Sequence, residues 1–117
     1  MMHKITKGKS FAGVLKYVFS KGENSEFLES DGVMYGPIHL MATCMDVQAS
    51  MNEKLKKNKV CHVSLNFSAE DKARLTNEMM LQIAHEYMQR MGFKDTQYVI
   101  VRHHDRDHPH LHIVINR

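Results

Sequence analysis

The sequence predicts an α+β domain: a mostly antiparallel sheet with helices packed on one of its faces. Two observations lead there. Short segments that alternate apolar with polar residues are interspersed with longer ones whose apolar residues recur at helical spacing. Their order, β-α-(α)-β-α-β-β, does not alternate strand with helix as a parallel sheet requires.

Each element has its own signal. Residues 2–7 form a short first strand. Ser10 caps a helix running to about residue 21, with Gly22 as its stop. Phe11, Val14, Leu15, Val18 and Phe19 make one buried stripe on that helix. Tyr17 lies about 60° off the stripe at 100° per residue, a flank position. Residues 22–37 read as irregular, punctuated by Gly22, Gly32, Gly36 and Pro37. A second helix spans about 38–56. Residues 60–67 alternate as a strand, with Cys61, Val63, Leu65 and Phe67 toward a core and His62, Ser64 and Asn66 the other way. A third helix covers about 76–91, capped by Thr76 and stopped by Gly92. Its apolar side holds Met79, Met80, Ile83, Ala84, Tyr87 and Met91; His85 falls on the polar side. Residues 97–103 and 110–116 are the last two strands, joined through a turn-like segment.

The chain of 117 residues fits one domain, and 43% hydrophobic residues exclude a disordered composition. No apolar run approaches the ~20 residues that cross a bilayer, and the N-terminus lacks the apolar stretch of a secretory signal. A soluble intracellular protein is expected, with Cys44 and Cys61 as two buried thiols rather than a disulfide. Net charge is +3, with 16 Lys and Arg against 13 Asp and Glu, which permits a nucleic-acid partner without demanding one. The basic cluster at 54–59 reads as a solvated helix end. Ten methionines at helical spacing read as adaptable core packing.

The histidines are more telling: of nine in the chain, five fall between His103 and His112. On a strand, successive side chains alternate sides. His110 and His112 therefore share one face, and Leu111, Ile113 and Ile115 the other. Two imidazoles so placed can grip one metal ion. The third ligand comes from a neighbouring strand; His103 ends the preceding one and a hairpin brings it alongside, with His104 and His108 as rivals. Such a set suits Zn, Mn, Ni or Co. Ligating histidines usually donate their other ring N–H to a carboxylate, a role Asp105 can fill. Pro109 fixes φ just before the His-x-His strand. A purely structural zinc site is usually closed by four ligands, often cysteine. Neither cysteine adjoins this cluster, so an open, functional site is expected.

These residues carry a specific resemblance. His103-x-Asp105-x-x-His108-Pro109-His110-x-His112, followed by Ile113-Val114-Ile115-Asn116-Arg117, resembles the third motif of conjugative relaxases, especially the mobilisation-protein and VirD2-like branch of the HUH endonucleases. The stretch from Lys7 through Ser10, Phe11 and Gly13 to Tyr17 is similar to their first motif, and His62-Val63-Ser64-Leu65-Asn66-Phe67 to the middle one. Many members have serine where this chain has Asn66. The three motifs run from residue 7 to 117, so the domain is expected to be a single relaxase nuclease domain, 1–117. Because such domains usually continue past the third motif, the chain is expected to be the N-terminal, shortened portion of a longer protein.

The resemblance implies Tyr17 as a nicking nucleophile, with Tyr35 as its one rival. Tyr87, in a helix stripe, and Tyr98, in a strand, are weaker candidates. It implies site- and strand-specific cleavage of single-stranded DNA at an origin of transfer, through a 5′-phosphotyrosine, in a bacterial cytoplasm. A divalent metal (Mg, Mn or Zn) at His103, His110 and His112 polarises the scissile phosphate, and Asp105 or a histidine takes the phenol proton. Lys7, Lys9, Ser64, Asn66, Arg102, Arg106 and His108 are the expected DNA contacts, with Lys4 and Lys16 as further cations. Accessory mobilisation proteins and a coupling protein of a secretion system are implied partners, and no membrane. Two other readings remain: a rolling-circle replication initiator or transposase of the HUH class, and a non-catalytic metal- or DNA-binding remnant. Tyr17 preceding the histidines favours a relaxase, since initiators and those transposases usually carry the tyrosine after them.

Overall fold

A computed structural model describes residues 2–8, 10–20, 22–51, 60–93, 96–104 and 108–116. Five strands form one antiparallel sheet: β1 (Met2–Gly8), β2 (Ser25–Asp31), β3 (Val60–Asn66), β4 (Tyr98–His103) and β5 (His110–Asn116), in the spatial order β1-β3-β5-β4-β2. The helices are α1 (Phe11–Val18), α2 (Ile38–Ser50) and α3 (Asn77–Arg90).

Helices cover both faces, not one. Phe11, Leu15 and Val18 of α1 and Met41, Ala42, Met45 and Ala49 of α2 bury Val60, Val99, Val101 and Val114. On the opposite face Met80, Ala84, Tyr87 and Met88 of α3 bury Cys61, Val63, Leu65, Ile100, Leu111, Ile113 and Ile115. The reason lies in the centre of the sheet. β5 is flanked on both sides and every one of its residues is buried, so a single layer of helices leaves half of its side chains wet.

Local signals explain the helix ends. Ser10 accepts a hydrogen bond from the Gly13 amide and Thr76 from the Met79 amide, each satisfying a donor of a first turn. After α3 the chain turns through Gly92 at φ 80°, and the amides of Gly92 and Phe93 donate to the carbonyls of Gln89 and Met88. This double bond pattern favours glycine at the left-handed position. α1 stops at Val18, earlier than expected, and Gly22 opens a short 3₁₀ turn, Gly22–Asn24, instead of ending the helix. α2 is described to Ser50; the expected extension to 56, with the basic cluster at 54–59, lies outside the described residues.

β2 falls in the segment expected to be irregular. Ser25–Asp31 carries three acidic residues and only two apolar ones. It is an outer strand, bonded to β4 alone, and a register shift between Phe27 and Glu29 breaks its alternation. Charge on an outer strand discourages pairing with another chain, and it also erases the periodic signal. Two smaller expectations change. Cys44 is exposed while Cys61 is buried. On α3, Met79 and Met91 are 42% and 44% exposed, and Met88 is buried in their place.

Candidate metal centre and nucleic-acid cleft

The centre is built on β5. Register places Ser64 and Val101 beside His112, and Asn66 and His103 beside His110. Paired residues share a face, so all of these side chains lie on the α1/α2 side. His103, His110 and His112 are buried there, at 2%, 7% and 4% exposure. One ring nitrogen of each lies within 4.8 Å of those of the other two. Ligands on one ion, bound at about 2.1 Å, stand about 3–3.5 Å apart, so modest ring rotation brings these three onto a common centre. Three imidazole donors, with no thiolate or fourth side chain beside them among the described residues, suit a divalent ion that keeps positions open for substrate.

The rings of His103 and His112 are held from behind. The Nε2–H of His103 donates to the Val18 carbonyl at 2.6 Å. A carbonyl can only accept, so the proton sits on Nε2. Val18 is also the last residue of α1 and the neighbour of Tyr17, so the same bond ties that helix to the histidine cluster. His112 bonds through Nδ1 to His62 Nε2 at 2.7 Å.

In front of the cluster is an open cleft of about 380 Å³, lined by Lys4, Thr6, Tyr17, His62, Ser64, Asn66, His110 and His112. Tyr17 stands at its rim, 55% exposed. Its ring meets those of His62 and His112 edge-on, with centroids 5.9 and 6.0 Å apart. The flank position expected from helical spacing is what allows this: the stripe of α1 packs down, and Tyr17 leans over the edge toward β3 and β5. Among the described residues the other tyrosines lie elsewhere. Tyr35 stacks on Phe27, centroids 4.2 Å apart. Tyr87 bonds to His3 Nδ1, and Tyr98 donates to Glu29. Burial raises the phenol pKa of both Tyr87 and Tyr98, and in Tyr98 the bond to Glu29 raises it further.

The expected DNA contacts divide. Ser64 and Asn66 line the cleft, Asn66 Nδ2 donating to Ser64 Oγ at 3.4 Å. Lys7 is paired with Cys61 and so lies on the α3 face, whereas Lys4, paired with Ser64, reaches the cleft. Arg102 is 7% exposed on the α3 face, and its Nη1 donates to the Leu75 carbonyl and Asn77 Oδ1. It ties α3 to β4 and faces away from the cleft. Lys16 is exposed on α1, and His108 is exposed just ahead of β5. His104, a rival third ligand, turns away to Glu26 Oε1 at 2.7 Å. Lys9, Asp105 and Arg106 lie outside the described residues.

His62 is, with Thr6, a cleft residue that the sequence reading did not single out. Its signal was the alternation that put it on the same side as Ser64 and Asn66. Burial, then the nearby His103 and Lys4, pushes its pKa below the usual histidine value, so the neutral ring is favoured.

A five-stranded antiparallel sheet carrying a histidine triad and an exposed tyrosine over one cleft is a nuclease fold of the relaxase kind. The sequence model of the family described as "Relaxase: MobA/VirD2-like, nuclease domain" matches residues 17–117, most of the chain and including Tyr17 and all three histidines. The chain belongs to that family. Its general activity is therefore DNA nicking in mobilisation, by a metal-dependent domain that binds single-stranded DNA at an origin of transfer. No curated protein matches the chain. No helix among the described residues is long and apolar enough to cross a membrane.

Proposed function

We propose that the domain nicks one DNA strand at an origin of transfer by transesterification to Tyr17, for mobilisation of a plasmid or other mobile element. The phenol oxygen of Tyr17 attacks phosphorus and the bond to the 3′ oxygen breaks. The products are a 5′-phosphotyrosine and a free 3′-OH. The phenol proton passes to Asp105 or a histidine, and the departing 3′ oxygen is protonated from solvent. One phosphodiester is exchanged for another, so the strand remains competent for rejoining.

His103, His110 and His112 hold the divalent ion in this reading, with Mg, Mn and Zn as its candidates. Bound there, the ion supplies Lewis acidity toward a non-bridging phosphate oxygen. Lys4, Ser64 and Asn66 contact the backbone of the unpaired strand along the cleft. Duplex DNA does not readily present a phosphate to a tyrosine that leans over a cleft rim, so an unpaired strand is the fitting substrate.

The observation that carries this reading is the position of Tyr17: half-exposed, in ring contact with His112, and in one cleft with His110. The test is incubation with Mn²⁺ and a pool of single-stranded oligonucleotides of random core sequence, followed by a denaturing gel. A covalent protein–DNA adduct is expected, and Tyr17→Phe abolishes it. An adduct that survives Tyr17→Phe assigns the nucleophile to another residue. No adduct from the unaltered protein rejects the nicking mechanism for this chain.

A further inference from the structure

We infer that His62 is a positioning residue that commits His112 to present Nε2 to the cation. This rests on the reading that the triad binds a metal. An imidazole has two ring nitrogens, and a neutral one carries a proton on one of them. A histidine that ligates a divalent ion must be neutral, with its proton on the nitrogen turned away from the ion. The bond of His112 Nδ1 to His62 Nε2 at 2.7 Å makes Nδ1 that nitrogen when His62 is the acceptor. Two nitrogens at this distance share one proton. With the proton on His112 Nδ1, His62 Nε2 accepts it and the lone pair of His112 is on Nε2. With the proton on His62 Nε2, His112 would hold its own proton on Nε2, where the ion has to bind.

His103 is fixed differently. Its partner is a carbonyl, which settles the tautomer whatever the rest of the site does. For His112 the choice is made by another side chain, and a side chain can be replaced. The residue opposite a ligating histidine is commonly a carboxylate; here β3 supplies an imidazole that meets His112 edge to edge, with ring centroids 5.0 Å apart and an interplanar angle of 28°. The same ring meets Tyr17 edge-on. His62 thus borders both the ligand and the tyrosine, and cannot tilt without disturbing each.

The experiment is Co²⁺ titration of the full chain, read from the visible absorption of the bound ion, for the unaltered protein, His62→Ala and His62→Gln. Thermal unfolding without metal runs alongside. Loss of a partner behind a metal ligand typically weakens binding about 10–100-fold. His62→Ala is expected to fall in that range, with its metal-free unfolding temperature close to that of the parent. His62→Gln, whose amide oxygen can accept the same proton, is expected to recover most of the affinity. Unchanged affinity in His62→Ala, or a Gln variant no better than Ala, overturns the assignment. So does a loss of affinity matched by an equal loss of metal-free stability, which makes the role structural. His110→Ala keeps the two readings apart: if the unaltered protein binds Co²⁺ no better than His110→Ala, the metal centre itself is rejected, and the role of His62 with it.

Discussion

The two faces of the sheet are made by the same strands and do different work. On β5 the residues turned toward α3 are Leu111, Ile113 and Ile115, all fully buried among apolar neighbours. Those turned the other way begin with His110 and His112 and reach an apolar residue only at Val114. β4 repeats the division: Ile100 and Arg102 on the α3 side, Val99, Val101 and His103 on the other. One face is closed along its length. The other is closed by α1 and α2 at one end of the strands and left open at the histidine end. Two-residue periodicity lets one strand brace the fold and carry the polar cluster without either role displacing the other.

That comparison can be broken or sharpened by substitution. The largest effect belongs to the open face. His110→Ala is expected to weaken divalent-cation binding by more than the roughly 100-fold upper range for partners behind a ligand, measured by calorimetric titration, with the far-ultraviolet circular dichroism spectrum unchanged. On the closed face the effect moves from binding to stability. Ile113→Ala, fully buried at the sheet centre, is expected to cost about 2–5 kcal/mol in urea unfolding, while adduct formation per folded molecule is retained. If adduct yield falls in proportion to the number of methylenes removed there, the two faces are not separable.

Arg102→Leu tests the polar exception on the closed face. It leaves the Leu75 carbonyl and Asn77 Oδ1 without the bonds they now accept, an expected loss of about 1–3 kcal/mol. Affinity for single-stranded DNA should be unchanged by fluorescence anisotropy; a marked loss restores Arg102 as a DNA contact. Ser10→Ala removes the cap on the Gly13 amide at the start of the helix that carries Tyr17, for about 1 kcal/mol.

The smallest effect is one of pH. The bond from His104, opposed by partial burial and helped by Asn77, holds the Glu26 carboxyl below its ordinary value of 4.5. A lowered acid pKa gives stability that is present above 4.5 and lost as pH falls through the folded value. Thermal melts between pH 5 and 3 should therefore fall slightly less in Glu26→Gln than in the parent. The Glu26 side chain is 42% exposed, so solvent screening keeps the difference small.

How far the sequence was readable follows from the same division. Strands β3, β4 and β5 and helix α3 were legible because buried faces impose period two or 3.6 on their residues. The histidine cluster was legible because imidazoles at positions 110 and 112 of an apolar strand have no packing reason to be there. β2 was not, since an outer strand with a register shift and three carboxylates has little of a face to show. The direction of Arg102 was hidden for a related reason. A cation beside a polar cluster looks like a substrate contact, and only the third dimension shows it turned the other way, its Nη1 bonded to the Leu75 carbonyl and Asn77 Oδ1. His62 was passed over because its partner is 50 residues away. Local spacing gives the side of a strand and says nothing about which ring will lie against it.

The position of β5 has one more consequence. It is the middle strand of five, so its amides are bonded on both flanks. Openings of a domain that are smaller than global unfolding begin at loosely held borders, and here those borders are β1 and β2. Deuterium should enter the backbone of residues 111–115 last of all.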